Sequence, residues 1–232
     1  MLLHHPEILH PQRPYLAIAG PWILPKHTGS SALAIAHSLP AGILGQTDKV
    51  ARLIQNYIGP AVGASVGVSY GLVAKLLPAK AASPVSEDSG GEGARFEERV
   101  WSHIMKQAYA EGVRGVSTDA VLLMQKGMPA GWSDWGDYDT AVRRLAEIVP
   151  HAVTDAKLTV EVFYAEKDLV IGDAGTKGPR WFDQCWAPYS EVFHYRSSTV
   201  QGSDHDGLLT LRRGAVQSIF QSVGVDETIT TS

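Results

Sequence analysis

Apolar positions follow two different rhythms along this chain. Three stretches are short runs rich in β-branched or aromatic residues: Tyr15 to Ile23 (YLAIAGPWI), Leu158 to Tyr164 (LTVEVFY) and Glu191 to Val200 (EVFHYRSSTV). Their length, composition and flanking proline, glycine and polar residues predict strands. Between the first and second run the spacing changes to that of helices. Ser30 or Ser31 is placed to cap Ala32 to Leu39, and Thr47 or Asp48 to cap a helix through Ile58 with Val50, Leu53, Ile54 and Tyr57 on one face. Tyr70 to Leu77 reads as another short helix. From Ala94 to Glu111, Phe96, Val100, Ile104 and Ala108 line one face. Ser117 and Thr118 suit caps of a helix through Lys126, and Tyr138, Val142, Leu145 and Val149 mark a helix ending before Pro150. Pro179 to Trp186 carries proline near its first turn, as helix starts allow. After a turn at Gly202 to Gly207, Thr210 to Val223 predicts a last helix with Ala215, Val216, Ile219, Phe220 and Val223 facing inward.

The resulting order is strand, helical insertion, strand, helix, strand, helix. That order predicts an α/β fold with a mostly parallel sheet. Ala79 to Gly93 (AKAASPVSEDSGGEG) is the one low-complexity stretch, small, polar and acidic, and reads as a flexible loop between helical blocks.

Bulk composition narrows the possibilities. The chain has 232 residues, 44% apolar and 19% charged, enough for one ordinary globular domain with a core. A formal net charge of −4 without a basic stripe argues against nucleic acid as partner. The single cysteine, Cys185, excludes an internal disulfide and suits a reducing, cytoplasmic setting. No stretch approaches the roughly 18 consecutive apolar residues of a membrane span, and Met1 to Pro14 lacks the basic-then-apolar plan of a secretory signal.

Two residues share a structural address. Asp168 lies just past the second predicted strand, in AEKDLVIGD, and His205 just past the third, in QGSDHDG. In open parallel sheets functional groups gather outside the carboxyl ends of strands. Glu166 and Asp173 are rival acids, and Asp204 and Asp206 flank His205 as solvated or capping residues. Taken singly, each is an ordinary loop residue; their matching addresses and order favour a joint role. Other candidates have plainer readings. His4, His5 and His10 lack zinc-ligand spacing and read as surface histidines. Cys185, beside Trp186, reads as packed rather than reactive. Trp132 and Trp135 suit either the core or a pocket wall. No glycine-rich phosphate loop follows a strand, and no metal or cofactor is expected.

VEVFYAEKDLVIG and GSDHDGLL, each in its strand-to-loop context, resemble the acid loop and the histidine loop of the α/β-hydrolases, and YLAIAGPWI resembles the strand after that family's nucleophile helix. The resemblance is closest to uncharacterised fungal members and covers most of the chain, although only the two loop motifs are specific. It implies the C-terminal strands of a mostly parallel sheet, with residues 29–149 as an enlarged helical lid. It also implies hydrolysis of an ester or related acyl bond, His205 as general base and Asp168 as the acid that orients it. The serine should sit in G-x-S-x-G on a strand-to-helix turn. GASVG around Ser65 and GVSYG around Ser69 fit the letters, but no convincing strand leads into them. The resemblance instead places the elbow before Met1. The expectation is therefore a truncated chain, inactive alone, with the strand at 15–23 as an apolar edge prone to self-association. Two alternatives stand beside it: a non-catalytic lidded pocket for a small apolar ligand, and an intact serine hydrolase using Ser65 or Ser69.

Overall fold

The computed structural model describes residues 2–45, 91–111, 118, 121–125, 137–152, 156–168, 170–173 and 175–224. Three strands, β1 (Tyr15–Ala19), β2 (Leu158–Lys167) and β3 (Phe193–Asp204), form one sheet in the order β1-β2-β3. Both pairings are parallel, so the molecule is a mixed α/β structure built on a small all-parallel sheet. Around it, among the described residues, lie α1 (Ser31–Ser38), α2 (Ala41–Leu44), α3 (Glu92–Glu111), α4 (Tyr138–Ala152), α5 (Pro179–Trp186) and α6 (Ala215–Gly224).

The central strand explains the architecture. Leu158 and Val160 through Ala165 are all buried, the near-continuous apolar run of a strand covered on both faces. On one face Leu158, Val160, Val162 and Tyr164 pack with Phe193 of β3 against Val142, Leu145 and Val149 of α4 and Phe182 and Trp186 of α5. Phe182 is fully buried and meets Tyr138 edge-on at 4.5 Å between centroids. On the other face Phe163, Ala165 and Val200 pack with Leu208 and Ala215, the latter at the start of α6. Alternation along β2 thus divides one strand between two cores.

Several boundaries differ from the sequence reading. β1 stops at Ala19 rather than Ile23, because Gly20 turns with a positive φ of 56° and Pro21 follows. α4 continues through Pro150 to Ala152; Val149 is locked in the core at 1% exposure, and a proline in the last turn removes only one helical hydrogen bond. β3 runs through Val200 to Asp204, across the expected turn, with a register shift opposite Ala165 and Lys167. The last helix is divided at Gly214, φ 82°, into a 3-10 turn at Leu211–Arg213 and α6. α6 packs through the narrow stripe Ala215 and Ile219, which leaves Phe220 72% and Val223 56% exposed instead of inward. In α3, Phe96 and Ile104 are likewise exposed. Ser30 does cap α1, accepting from the Leu33 amide at 3.2 Å.

Among the described residues β1 pairs only with β2. Its bonds to β2 bracket the strand: the Thr159 amide donates to Pro14 O, and the Gly20 amide to Phe163 O, both at 3.0 Å. Alternation then turns the amides and carbonyls of Tyr15, Ala17 and Ala19 away from β2. Among the described residues, no helix is long and apolar enough to cross a membrane. The helices predicted at 47–58 and 70–77, and nearly all of the loop at 79–93, lie outside the described residues.

Candidate active site

Neighbouring parallel strands lie about 4.8 Å apart, so side chains just beyond their carboxyl ends meet. Asp168 follows β2 and His205 follows β3. The imidazole Nδ1 lies 2.8 Å from Asp168 Oδ2. The other carboxylate oxygen, Oδ1, accepts the amides of Val170 and Ile171, each at 2.8 Å. Asp168 is thus fixed from both sides, with its side chain 6% exposed against 27% for His205. A carboxylate so placed selects the imidazole tautomer with hydrogen on Nδ1, which leaves Nε2 as the basic nitrogen. Burial works against a charged His205, yet the Asp168 hydrogen bond and charge, helped by Asp206 and Asp204, raise its pKa above the ordinary 6.5.

Two loops brace this pair. The turn after Asp168 is closed by the Gly172 amide donating to Asp168 O at 3.0 Å. Thr28, on the loop after β1, donates its hydroxyl to Ile171 O at 2.5 Å and Val170 O at 3.1 Å, and the Gly29 amide also reaches Ile171 O. Gly20 presses against the imidazole: a β-carbon there would stand 3.2 Å from His205 Cε1. On the histidine loop, Asp204 Oδ1 accepts the Gly207 amide at 2.7 Å, a turn-stabilising role, and Leu208 is buried beneath.

The rival acids are placed elsewhere. Glu166 is exposed and accepts the Gly202 amide at 2.6 Å, and Asp173 is exposed. His5 meets Glu7 at the surface, while His10 Nδ1 accepts the amides of Gln12 and Arg13. Cys185 is buried; burial, then Asp139, pushes its thiol far above the usual range, which disfavours the thiolate. Ser65, Ser69, Trp132 and Trp135 lie outside the described residues. Among the described residues, no hydroxyl or thiol is hydrogen-bonded to His205 Nε2.

No family model, curated protein or solved structure matches the chain.

A cavity of about 860 Å³ opens at the far, amino-terminal end of the sheet, between it and α6. Tyr15, Lys157, Glu161, His194, Arg196 and Ser222 are among its lining residues. Its lining residues are mostly of polar type and include neither His205 nor Asp168, so it is separate from that pair. Sequence spacing gave no hint of it, because its walls come from four separate elements.

The charge coupling gives a direct prediction. In wild-type chain, NMR titration should place His205 above 6.5; in Asp168→Asn, burial, the largest single influence, is opposed only by Asp206 and Asp204, and the value should fall. Because the folded pKa is raised, this coupling stabilises the fold fully below the unfolded pKa and is lost as pH rises through the folded one. Asp168→Asn should abolish that pH-dependent increment. A His205 titration unchanged by the substitution would mean that the pair is not coupled in solution.

Proposed function

We propose that the chain is an α/β-hydrolase-like protein in which Asp168 and His205 are the acid and base of a site for hydrolysing an ester or related acyl bond. One observation carries this reading: an acid and a histidine, in that order along the chain, hydrogen-bonded at 2.8 Å beyond the carboxyl ends of adjacent parallel strands. Neither of the rival acids, Glu166 and Asp173, makes that contact.

The chemistry follows from the tautomer. His205 Nε2 takes the proton of an attacking hydroxyl as its oxygen bonds to the acyl carbon. The imidazolium is stabilised by Asp168, then returns the proton to the leaving oxygen as the acyl–oxygen bond breaks. A base without a nucleophile gives no covalent catalysis. The described residues provide none, and the chain by itself is proposed to be inactive. Residues 29–149, inserted between β1 and β2, are proposed as the lid, except for α4 at the end of that range, whose Val142, Leu145 and Val149 pack in the core of the sheet. α3 supports that placement: Glu97 Oε2 accepts the Leu211 amide at 3.0 Å, beside the histidine loop. A cytoplasmic setting fits the single cysteine, Cys185.

A serine-directed fluorophosphonate probe tests the reading on the purified, folded chain, with Ser65→Ala, Ser69→Ala and His205→Ala alongside. No labelling is the expected result. Labelling of Ser65 or Ser69 that requires His205 would make the chain a complete enzyme and sink the inactivity claim. Labelling that persists in His205→Ala would remove His205 from the role of base.

A further inference from the structure

We propose that His27, Asp137 and Asp139 form a site for a divalent transition-metal ion of the zinc class, separate from the Asp168–His205 pair. Each residue offers one ligand atom, and these atoms lie within 4.8 Å of one another. They come from different parts of the chain: His27 from the loop after β1, Asp137 and Asp139 from the start of α4. The imidazole is held flat against Trp181, centroids 3.8 Å apart and planes 8° from parallel.

A second observation points to a ligand. His27 Nε2 is a buried atom with no hydrogen-bond partner among the described residues. Such an orphan is costly to bury, and a coordinated ion would offset that cost. The plainer reading makes both aspartates helix caps. However, the amides of Thr140 and Ala141 are taken by the Asp137 carbonyl, at 3.1 and 2.9 Å, not by a carboxylate. Asp139 Oδ1 accepts the Cys185 thiol at 3.3 Å, an outer contact of the kind that orients a metal-binding carboxylate. Capping also gives no reason for an imidazole to face the pair.

The donor set selects the ion. One imidazole nitrogen with two carboxylates suits zinc and its neighbours, whereas calcium and magnesium favour oxygen donors throughout. Zinc holds nitrogen and oxygen at about 2.0–2.2 Å, so the ligand atoms must close to about 3.4 Å apart. Asp139 is exposed at the surface, where its carboxylate can turn while Cys185 anchors Oδ1. The consequence reaches the candidate active site: His27 O accepts the Gly178 amide at 2.9 Å, and its neighbour Thr28 braces the turn behind Asp168. A bound ion would tie that loop to α4.

The test uses the full chain freed of metal by chelation. Titration with zinc chloride, followed by calorimetry, should show one saturable site, raise the unfolding temperature, and compete with cobalt(II), whose bound form absorbs in the visible. His27→Gln and Asp139→Asn should each weaken binding at least about tenfold, and His10→Gln should leave it unchanged. Should His27→Gln fail to fold, Asp139→Asn decides, since its amide keeps an oxygen to accept the Cys185 thiol while losing the charge a metal ion needs. Absence of saturable zinc binding, binding indifferent to Asp139→Asn, or tighter binding of calcium than zinc would each overturn the proposal.

Discussion

Gly172→Ala should destabilise the fold by about 3 kcal/mol and loosen the acid from its histidine. Gly172 has φ 64°, and a left-handed conformation costs an L-residue about 1–2 kcal/mol. Space is the larger obstacle. A β-carbon on Gly172 would lie 2.2 Å from the Ser30 nitrogen and 2.4 Å from the Gly29 carbonyl carbon, both backbone atoms. Overpacking of this kind adds about 1–3 kcal/mol. To make room, the loop after β1 must leave the turn after β2, which breaks the Gly29 and Thr28 bonds to Ile171 O. Asp168 takes two amides from that same turn, so its hold on His205 slackens and the imidazole titration moves downward. Chemical denaturation and NMR titration read the two effects. A loss under about 1 kcal/mol with His205 unmoved would mean that the loops part freely and do not brace the acid.

That contact marks the limit of what the sequence made legible. β2 could be anticipated from LTVEVFY because a strand covered on both faces writes its burial into consecutive residues. α5 could be anticipated because Pro179 opens it and Phe182, Cys185 and Trp186 share a face. Asp168 and His205 were visible as a pair only through their common address after strands. The apposition of Gly172 to Ser30, 142 positions apart, has no local signature, nor does that of His27 to Asp137 and Asp139. Phe220 shows the opposite failure. Its spacing suits an inward face, but the break at Gly214 lets α6 rotate about the Ala215–Ile219 stripe and turns Phe220 outward. Periodicity reports which residues share a face, not which face finds a partner.

Glu161 illustrates the same gap from the polar side: it is the one charged residue within LTVEVFY, and it is 6% exposed. Its Oε2 accepts Tyr15 OH at 2.5 Å, Arg196 Nη2 at 2.8 Å and Ser222 Oγ at 3.1 Å. One carboxylate therefore joins β1, β2, β3 and α6. Glu161→Ala should cost about 2–3 kcal/mol. Removing one member of a fully buried ion pair costs about 3–5 kcal/mol, but Arg196 is 49% exposed and regains water when released. Burial raises the Glu161 pKa, but the Arg196 and Tyr15 hydrogen bonds outweigh it and hold the carboxyl below its ordinary 4.5. A depressed folded pKa means stability present above the unfolded value and lost as pH falls through the folded one. The gap between wild type and Glu161→Ala should therefore be widest above pH 4.5 and narrow in stronger acid. At the alkaline end, burial and then Glu161 push the Tyr15 phenol up to about 12, so its donor survives far into base. Glu161→Gln, which keeps the shape and an acceptor oxygen, should recover part of the loss without the acid-dependent narrowing. Denaturation of the three proteins across pH separates charge from packing: a gap constant with pH would assign the loss of stability to packing and leave the four-element carboxylate network without an energetic role.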